Sequence, residues 1–435
     1  MIKGVLQKNQ KKYTITKKTF LRGIVIGIVI SFIVTFLSWM GFLRGWENGV
    51  FDFMIWWGKE KKSNDVIIIE IDGDDYHEVF NSLSPLSRKK LSEIILKIAK
   101  AQPKAIAIDI NLSDDTAEDK YLIEAFQKLG ELNVPVILPS EMEHKLPINS
   151  GNLLFGTSEY PISRDGVIRE MFLVKDVGQK KSHPCLPLTI LAATEGYTWK
   201  RFYEILSSHK KTNKNSQPRK GKLEAIIKNG SHFPVQKIQY IGDKSSFNSF
   251  KSSFIFKISD RFFKSKNIFS DKIIIIGGTF EEARDFYMTP KGKMSGVGII
   301  ANSVETLLNA RILKPINHLV EFLMEIVIIL ILSYYFLRFS AFKGTLIGLI
   351  TILPLAIFGS FVAFSSLSRW LNFIPVGVSI ILHGQVSFFE WYGELKKELI
   401  KLKSDLSEKE NEISNLKHTI GDLQKMKEKE DKEVP

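Results

Sequence analysis

Long apolar runs stand near both ends of this chain, and the stretch between them reads as a soluble domain. Residues Thr19 to Phe42 form the first run, long enough to cross a hydrocarbon core of roughly 30 Å. Lys3, Lys8, Lys11, Lys12, Lys17 and Lys18 precede it without any acidic residue, so the positive-inside rule keeps this tail, residues 1–18, in the cytoplasm. A cleaved signal peptide also starts basic, but its apolar part is about 7–15 residues and ends in small residues. The run at 19–42 is longer and ends among Trp39, Phe42 and Trp46, which suit a membrane interface. An uncleaved anchor is expected.

Three more runs follow at 319–337, 345–364 and 371–389. Four spans put both termini on one side. Arg338, Lys343 and the lysines after the last run (Lys396, Lys397, Lys401, Lys403) then fall inside, leaving only Arg369 outside. The segment from about 44 to 317 is therefore expected to be extracytoplasmic, in a multi-pass protein of the inner (cytoplasmic) membrane. Gly23 with Gly27, and Gly344 with Gly348, form small-xxx-small pairs that let helices approach closely. Glu321, Glu325 and His383 are ionisable residues in or beside the spans, too few at mid-depth for a transport path.

In the middle, short β-branched runs alternate with helical spacing. Val66–Ile71, Ala105–Ile108, Val134–Leu138 and Lys272–Ile276 read as buried strands; Leu91–Ala101, 118–130 and Val297–Leu308 read as helices. This pattern predicts an α/β fold, a mostly parallel sheet flanked by helices. Phe172 to Ile258 fits less well and suggests an antiparallel extension, and 200–222 reads as a flexible basic loop. Asp72, Asp109 and Asp285 sit at strand ends or after the glycine turn, where open α/β sheets bind ligands. Converging carboxylates there could hold a cationic ligand or a divalent cation. They could equally cap helices or pair with Arg88, Arg169 or Arg284.

Several function classes lose support at this level. A net charge of +13 invites nucleic acid, but the excess sits in the N-terminal tail and at Lys200–Lys222 with no nucleic-acid module; no nucleic-acid partner is expected. Cys185 is the only cysteine, so neither an intramolecular disulfide nor a cysteine metal cluster can form. The histidines lack metal-ligand spacing, and neither a G-x-S-x-G turn nor a zinc-protease motif occurs. The Gly277–Gly278–Thr279 turn lacks the lysine and spacing of a phosphate loop. No catalysis, cofactor or metal is expected.

The ordered motifs resemble the CHASE type 2 (CHASE2) family of bacterial extracytoplasmic sensor domains, over roughly Gly49 to Pro315. They run from Phe51–Asp52 through IIIEIDGDD (67–75), PLSR (85–88), KAIAIDI (104–110), DGVIR (165–169) and PCLPL (184–188). DKIIIIGGTFEEARDFYMTP (271–290) and SGVGIIANSVETLL (295–308) complete the set. DGVIR, followed by the glycine turn, Asp285 and Thr289–Pro290, is the most specific part. The resemblance implies one span before the domain, three after it, and a sensor role for an unidentified signal, usually upstream of a cyclase or kinase. This chain departs from that pattern in three ways. About 45 residues follow the last run, no tryptophan-containing form of the motif surrounds Pro85, and the stretch at 200–222 looks added. Together these readings make Asp72, Arg88, Asp109, Asp165, Arg169, Asp285 and Thr289 the candidate ligand-binding residues.

Beyond the last run, Leu395, Leu399, Leu402, Leu406, Ile413, Leu416, Ile420 and Leu423 keep a seam of alternating four and three, broken only at Lys409. Residues 391–430 are thus expected to form a cytoplasmic coiled coil and a homodimer. The expected function is a membrane-bound sensor subunit that passes an extracytoplasmic signal to a cytoplasmic effector. A non-signalling envelope scaffold or docking module is the alternative.

Overall fold

The computed structural model describes residues 17–144, 152–176, 182–210, 221–230, 235–259, 268–309, 312–315, 318–339 and 341–430. The chain divides into two units. Asn48–Pro315 with Ala363–Trp370 form an α/β domain; Met1–Glu47, Ile316–Val362 and Leu371–Pro435 form a helical unit.

In chain order, helices α1 (Lys17–Trp39) and α2 (Arg44–Trp57) lead into strand β1 (Val66–Ile71). Next come α3 (Gly73–Glu78), α4 (Arg88–Ala99), β2 (Ala105–Asp109), α5 (Asp119–Glu131), β3 (Val136–Pro139) and β4 (Leu153–Gly156). Helices α6 (Leu186–Thr194), α7 (Trp199–Lys210) and α8 (Lys222–Gly230) precede β5 (Asn248–Lys251) and α9 (Ser252–Lys257). The domain continues with β6 (Ile273–Gly278), the hairpin β7 (Phe286–Thr289) and β8 (Gly292–Ser295), and α10 (Gly296–Leu308). The last helices are α11 (His318–Arg338), α12 (Ala341–Leu367) and α13 (Ile374–Glu430).

Six strands form one parallel sheet in the order β4-β3-β2-β6-β1-β5. Every residue of β1 is buried, and side chains alternate between faces along a strand, so both faces of the sheet are covered. Helix α4 follows from Leu91, Ile94, Ile95 and Ile98 on one buried stripe, capped where Ser87 accepts the Lys90 N–H at 3.4 Å. Helix α10 is buried almost throughout. Asn302 there stays satisfied: its Oδ1 accepts the Ile241 N–H at 2.9 Å and its Nδ2 donates to the Gly298 carbonyl at 3.0 Å.

Between Phe172 and Ile258 the structure departs from the expected antiparallel extension. Two short antiparallel pairs do occur, Glu170–Phe172 with Val235–Lys237 and Val174–Asp176 with Ser182–Pro184. However, among the described residues four helices, α6 to α9, lie in this region, and β5 joins the main sheet as a parallel edge strand. The cause is visible in α6. Its sequence LPLTILAAT is apolar and buried all round, so it shows no helical period. Residues 200–210, read as part of a flexible loop, continue α7, while 211–220 lie outside the described residues.

A second departure concerns 363–370, which the hydropathy assigns to the end of one span and the turn before the next. This segment folds with the α/β domain: Arg369–Trp370 pairs in parallel with Lys314–Pro315, and Phe364 and Trp370 meet Phe51 edge-on at 6.1 and 5.8 Å. The Lys237 ammonium stands over the Phe51 ring at 4.6 Å and over Trp370 at 5.6 Å, within cation–π range.

In the helical unit, α1 packs against α11 and α13. Gly27 faces Ile329 and His383, and Gly348 faces Leu332 and Ile380, so these glycines mark close helix contacts. Ser31 and Thr35 of α1 both donate to the Glu325 carboxylate, Thr35 at 2.9 Å; Arg22 pairs with Glu390 at 2.7 Å. The Glu321 side chain lies outside the description. Leu21–Trp39 and Phe342–Ser366 are long and apolar enough to cross a membrane, and a shorter apolar stretch, Leu323–Tyr335, lies in α11. Helix α13 runs unbroken from Ile374 through Trp391 and Tyr392 to Glu430.

Candidate functional site

Five of the six parallel strands deliver their carboxyl ends, or the loops that follow them, to one cavity of about 650 Å³. Tyr76 enters after β1, Asp109 to Asp114 at the end of β2, Pro139, Glu141 and Met142 at the end of β3, Ser158 after β4, and Gly278, Phe280, Glu282, Ala283 and Asp285 at the end of β6. This is where the chemistry of a parallel sheet concentrates. Tyr76 and Phe280 stack with ring centroids 4.3 Å apart, presenting an aromatic wall.

The lining is electrically one-sided. Asp109, Asp114, Glu141, Glu282 and Asp285 contribute carboxylates, and among the described residues no lysine or arginine lines the cavity. His77 reaches Glu282 at 3.7 Å. Burial pushes the Asp109 carboxyl up to about 7, and the neighbouring Asp285 carboxylate adds to the rise while the Ser158 hydroxyl opposes it. Asp285 is also raised, again chiefly by burial, against hydrogen bonds from the Tyr287 hydroxyl and the Gly296 N–H. Gly296 leaves room for that carboxylate. A Cβ at that position would overlap the Asp285 carboxylate, so a larger residue opening α10 would shift it.

The other candidate residues lie elsewhere. Asp72 caps α3, accepting the Asp75 N–H at 2.9 Å, and pairs with Lys251 at 2.6 Å. Arg88 is fully buried, its Nη1 donating to the Leu86 carbonyl at 3.3 Å and its Nε standing 3.6 Å from Asp119. Asp165 and Arg169 bind each other. Arg169 Nη2 donates to Asp165 at 2.7 Å and to Asp52 at 2.6 Å, and Nε donates to Asp52 at 2.7 Å. This fork joins the Phe51–Asp52 and DGVIR motifs, far apart in sequence, into one clamp. Thr289 donates to the Gly292 carbonyl at 2.8 Å inside the β7–β8 turn. Asp109 and Asp285 are thus the two candidates that meet at the cavity.

Sequence reasoning missed the rest of the lining. Asn111 to Asp114 follow Asp109 directly and were within reach of the strand-end rule. Tyr76, Phe280 and Glu141 carry no such signal, because they meet only once five loops converge. Among the described residues, no three His, Cys, Asp or Glu side chains gather closely enough to hold a metal ion. A monocationic or dicationic organic group fits the lining better, since carboxylates and aromatic faces both attract cations.

Comparison with curated proteins and with solved structures returned no match. The family model of the CHASE2 domain, an extracellular sensory domain, matches residues 28–337, from within α1 through the Asn48–Pro315 part of the α/β domain into α11. With a match over most of its length and the parallel sheet in place, this chain belongs to the CHASE2 domain family.

Proposed function

We propose that the protein is a membrane-bound sensor subunit, whose α/β domain takes a small extracytoplasmic ligand and whose α13 carries the response to a cytoplasmic effector. In this reading the helical unit crosses the membrane four times with both termini in the cytoplasm, and the end of α13 pairs with a second copy. One observation carries the proposal. The segment Ala363–Trp370 is part of the α/β domain, and α13 begins four residues later and runs unbroken into the heptad seam. A shift of Trp370 against Phe51 and Lys237 therefore moves the start of a continuous helix. Along the seam, Leu399, Leu402, Leu406, Ile413, Leu416, Ile420 and Leu423 are exposed, as a helix awaiting its partner requires.

The ligand class that suits the cavity is a small organic cation. Binding it demands an ionised Asp109, so affinity should rise with pH up to about 7 and level off above it. The test uses full-length protein in membranes, with Cys185→Ala and single cysteines at Leu402, Leu416 or the off-seam Ser404, and 1,4-diaminobutane as the probe. Crosslinking at 402 and 416 but not 404, changed by the diamine and unchanged in the Asp109→Asn variant, supports the proposal. Crosslinks that ignore the diamine while it binds would favour the scaffold alternative. Absent seam crosslinks would remove the homodimer.

A further inference from the structure

Helix α2 has two unlike faces. One buries Phe51, Met54 and Ile55 in the α/β core, and Asp52 beside them is held by both donors of the Arg169 fork. The other carries Phe53, Trp56 and Trp57, exposed at 49, 66 and 62 %, which form one aromatic group with Phe53 5.5 Å from Trp57 and 6.4 Å from Trp56. Trp46, one further exposed aromatic, lies on the same helical stripe as Phe53 and Trp57, at a spacing of seven and then four. A contiguous aromatic surface of this kind calls for an apolar partner.

We infer that this face of α2 lies in the headgroup region of the membrane, with lipid as its partner. Three observations select lipid over a protein. Only four residues, Met40 to Leu43, separate α2 from α1, whose Leu21–Trp39 is long and apolar enough to cross a membrane. That link spans at most about 18 Å, so the start of α2 stays near the surface α1 leaves. The face is built of tryptophan and phenylalanine, whose rings settle at membrane–water interfaces. Exposed Lys59 and Lys62 follow the helix immediately, placed for lipid phosphates. The opposite face, fixed to the core by Phe51 and the Asp52–Arg169 clamp, makes α2 a rigid foot for the domain. A change in the membrane surface, or in the tilt of the domain upon it, then reaches the same Phe51 that packs against Trp370.

The experiment reads depth. Full-length protein carrying Cys185→Ala is spin-labelled at Phe53→Cys, at Trp57→Cys or, as an aqueous reference, at the exposed Glu131→Cys, and placed in vesicles of mixed zwitterionic and anionic phospholipid. At 53 and 57 the ratio of oxygen collisions to nickel-chelate collisions should exceed that at 131 on the order of tenfold, as a headgroup-level position requires. A ratio equal to that at 131 overturns the inference. Spin–spin broadening between copies at 53 or 57 also overturns it, because the face would then be covered by a second chain. All label sites are exposed, so the substitutions leave the core intact.

Discussion

Two pairs of acidic side chains in the α/β domain meet opposite fates. Asp52 and Asp165 converge on one buried guanidinium, whereas Asp109 and Asp285 both line a cavity that, among the described residues, no arginine or lysine lines. In the first pair Arg169 holds the Asp165 carboxyl below its usual range; in the second, burial raises both. Arg169 itself is drawn down by burial, and its bonds to Asp52 and Asp165 overcome that and raise it. The first arrangement is complete and reads as structure. In the second, the described residues supply no positive charge, and that separates a place for a ligand from a clamp.

The sharpest way to break this contrast is to remove the cation from the completed pair. Arg169→Met strands Asp52 and Asp165, but water reaches both carboxylates, 30 and 50 % exposed, so losing these charge-assisted bonds should cost about 1–3 kcal/mol. Unfolding of full-length protein in detergent, by urea or heat, should show a loss of that order, while Arg169→Lys, which keeps the charge but not the fork, should recover part of it. A variant as stable as the parent would mean that the clamp is not structural.

The next effect has the opposite sign. Folded Asp109 titrates near 7 and its ordinary value is 3.8, so between these values the folded chain keeps a proton that the unfolded chain releases. Stability from this group is fully present below about 3.8, is lost as pH rises through 7, and stays lost above. Asp109→Asn removes the loss. The variant should match the parent near pH 3 and exceed it progressively as pH rises from about 4 to 7, by a few kcal/mol at most. At about 2–4 °C per kcal/mol for a domain of this size, the difference is readable in a melt. A constant offset between pH 5 and 8 would show that Asp109 does not titrate there.

How much of this was legible in the sequence follows from how local each feature is. Strands β1 and β6 read plainly, because a strand buried on both faces is a continuous β-branched run. Helix α4 read plainly because one face is wet. Helix α6 hid for the converse reason: with every side covered it has no period to detect. The Asp52–Arg169 bond spans 117 positions, so both ends stood out as motifs while their meeting did not. The cavity depends on five loops at once, so Asp109, Asp285 and the residues just after Asp109 were within reach of the strand-end rule and the rest of the lining was not. The segment 363–370 reads as the end of one span and the turn before the next, because hydropathy registers apolar character and not the Phe51 ring it packs against.

The smallest prediction uses Asp72, which leaves β1 much as Asp109 leaves β2, two positions apart in the sheet. Burial would raise its carboxyl, but Lys251 and the Asp75 N–H outweigh burial and hold it below 3.8. Its contribution is therefore present above 3.8 and lost as pH falls below, the reverse of Asp109. Asp72→Ala removes an N-cap and should cost about 1 kcal/mol at neutral pH, less in acid. Lys251→Met should change stability little, because the cap survives and the lysine is largely exposed. Melts of Asp72→Ala and Asp109→Asn across one buffer series should thus diverge from the parent in different pH ranges and with opposite signs. If both variants tracked the parent in parallel, a lysine beside one strand end and a lysine-free cavity at another would not distinguish their chemistry, and the assignment of the cavity to a cation would fall with that distinction.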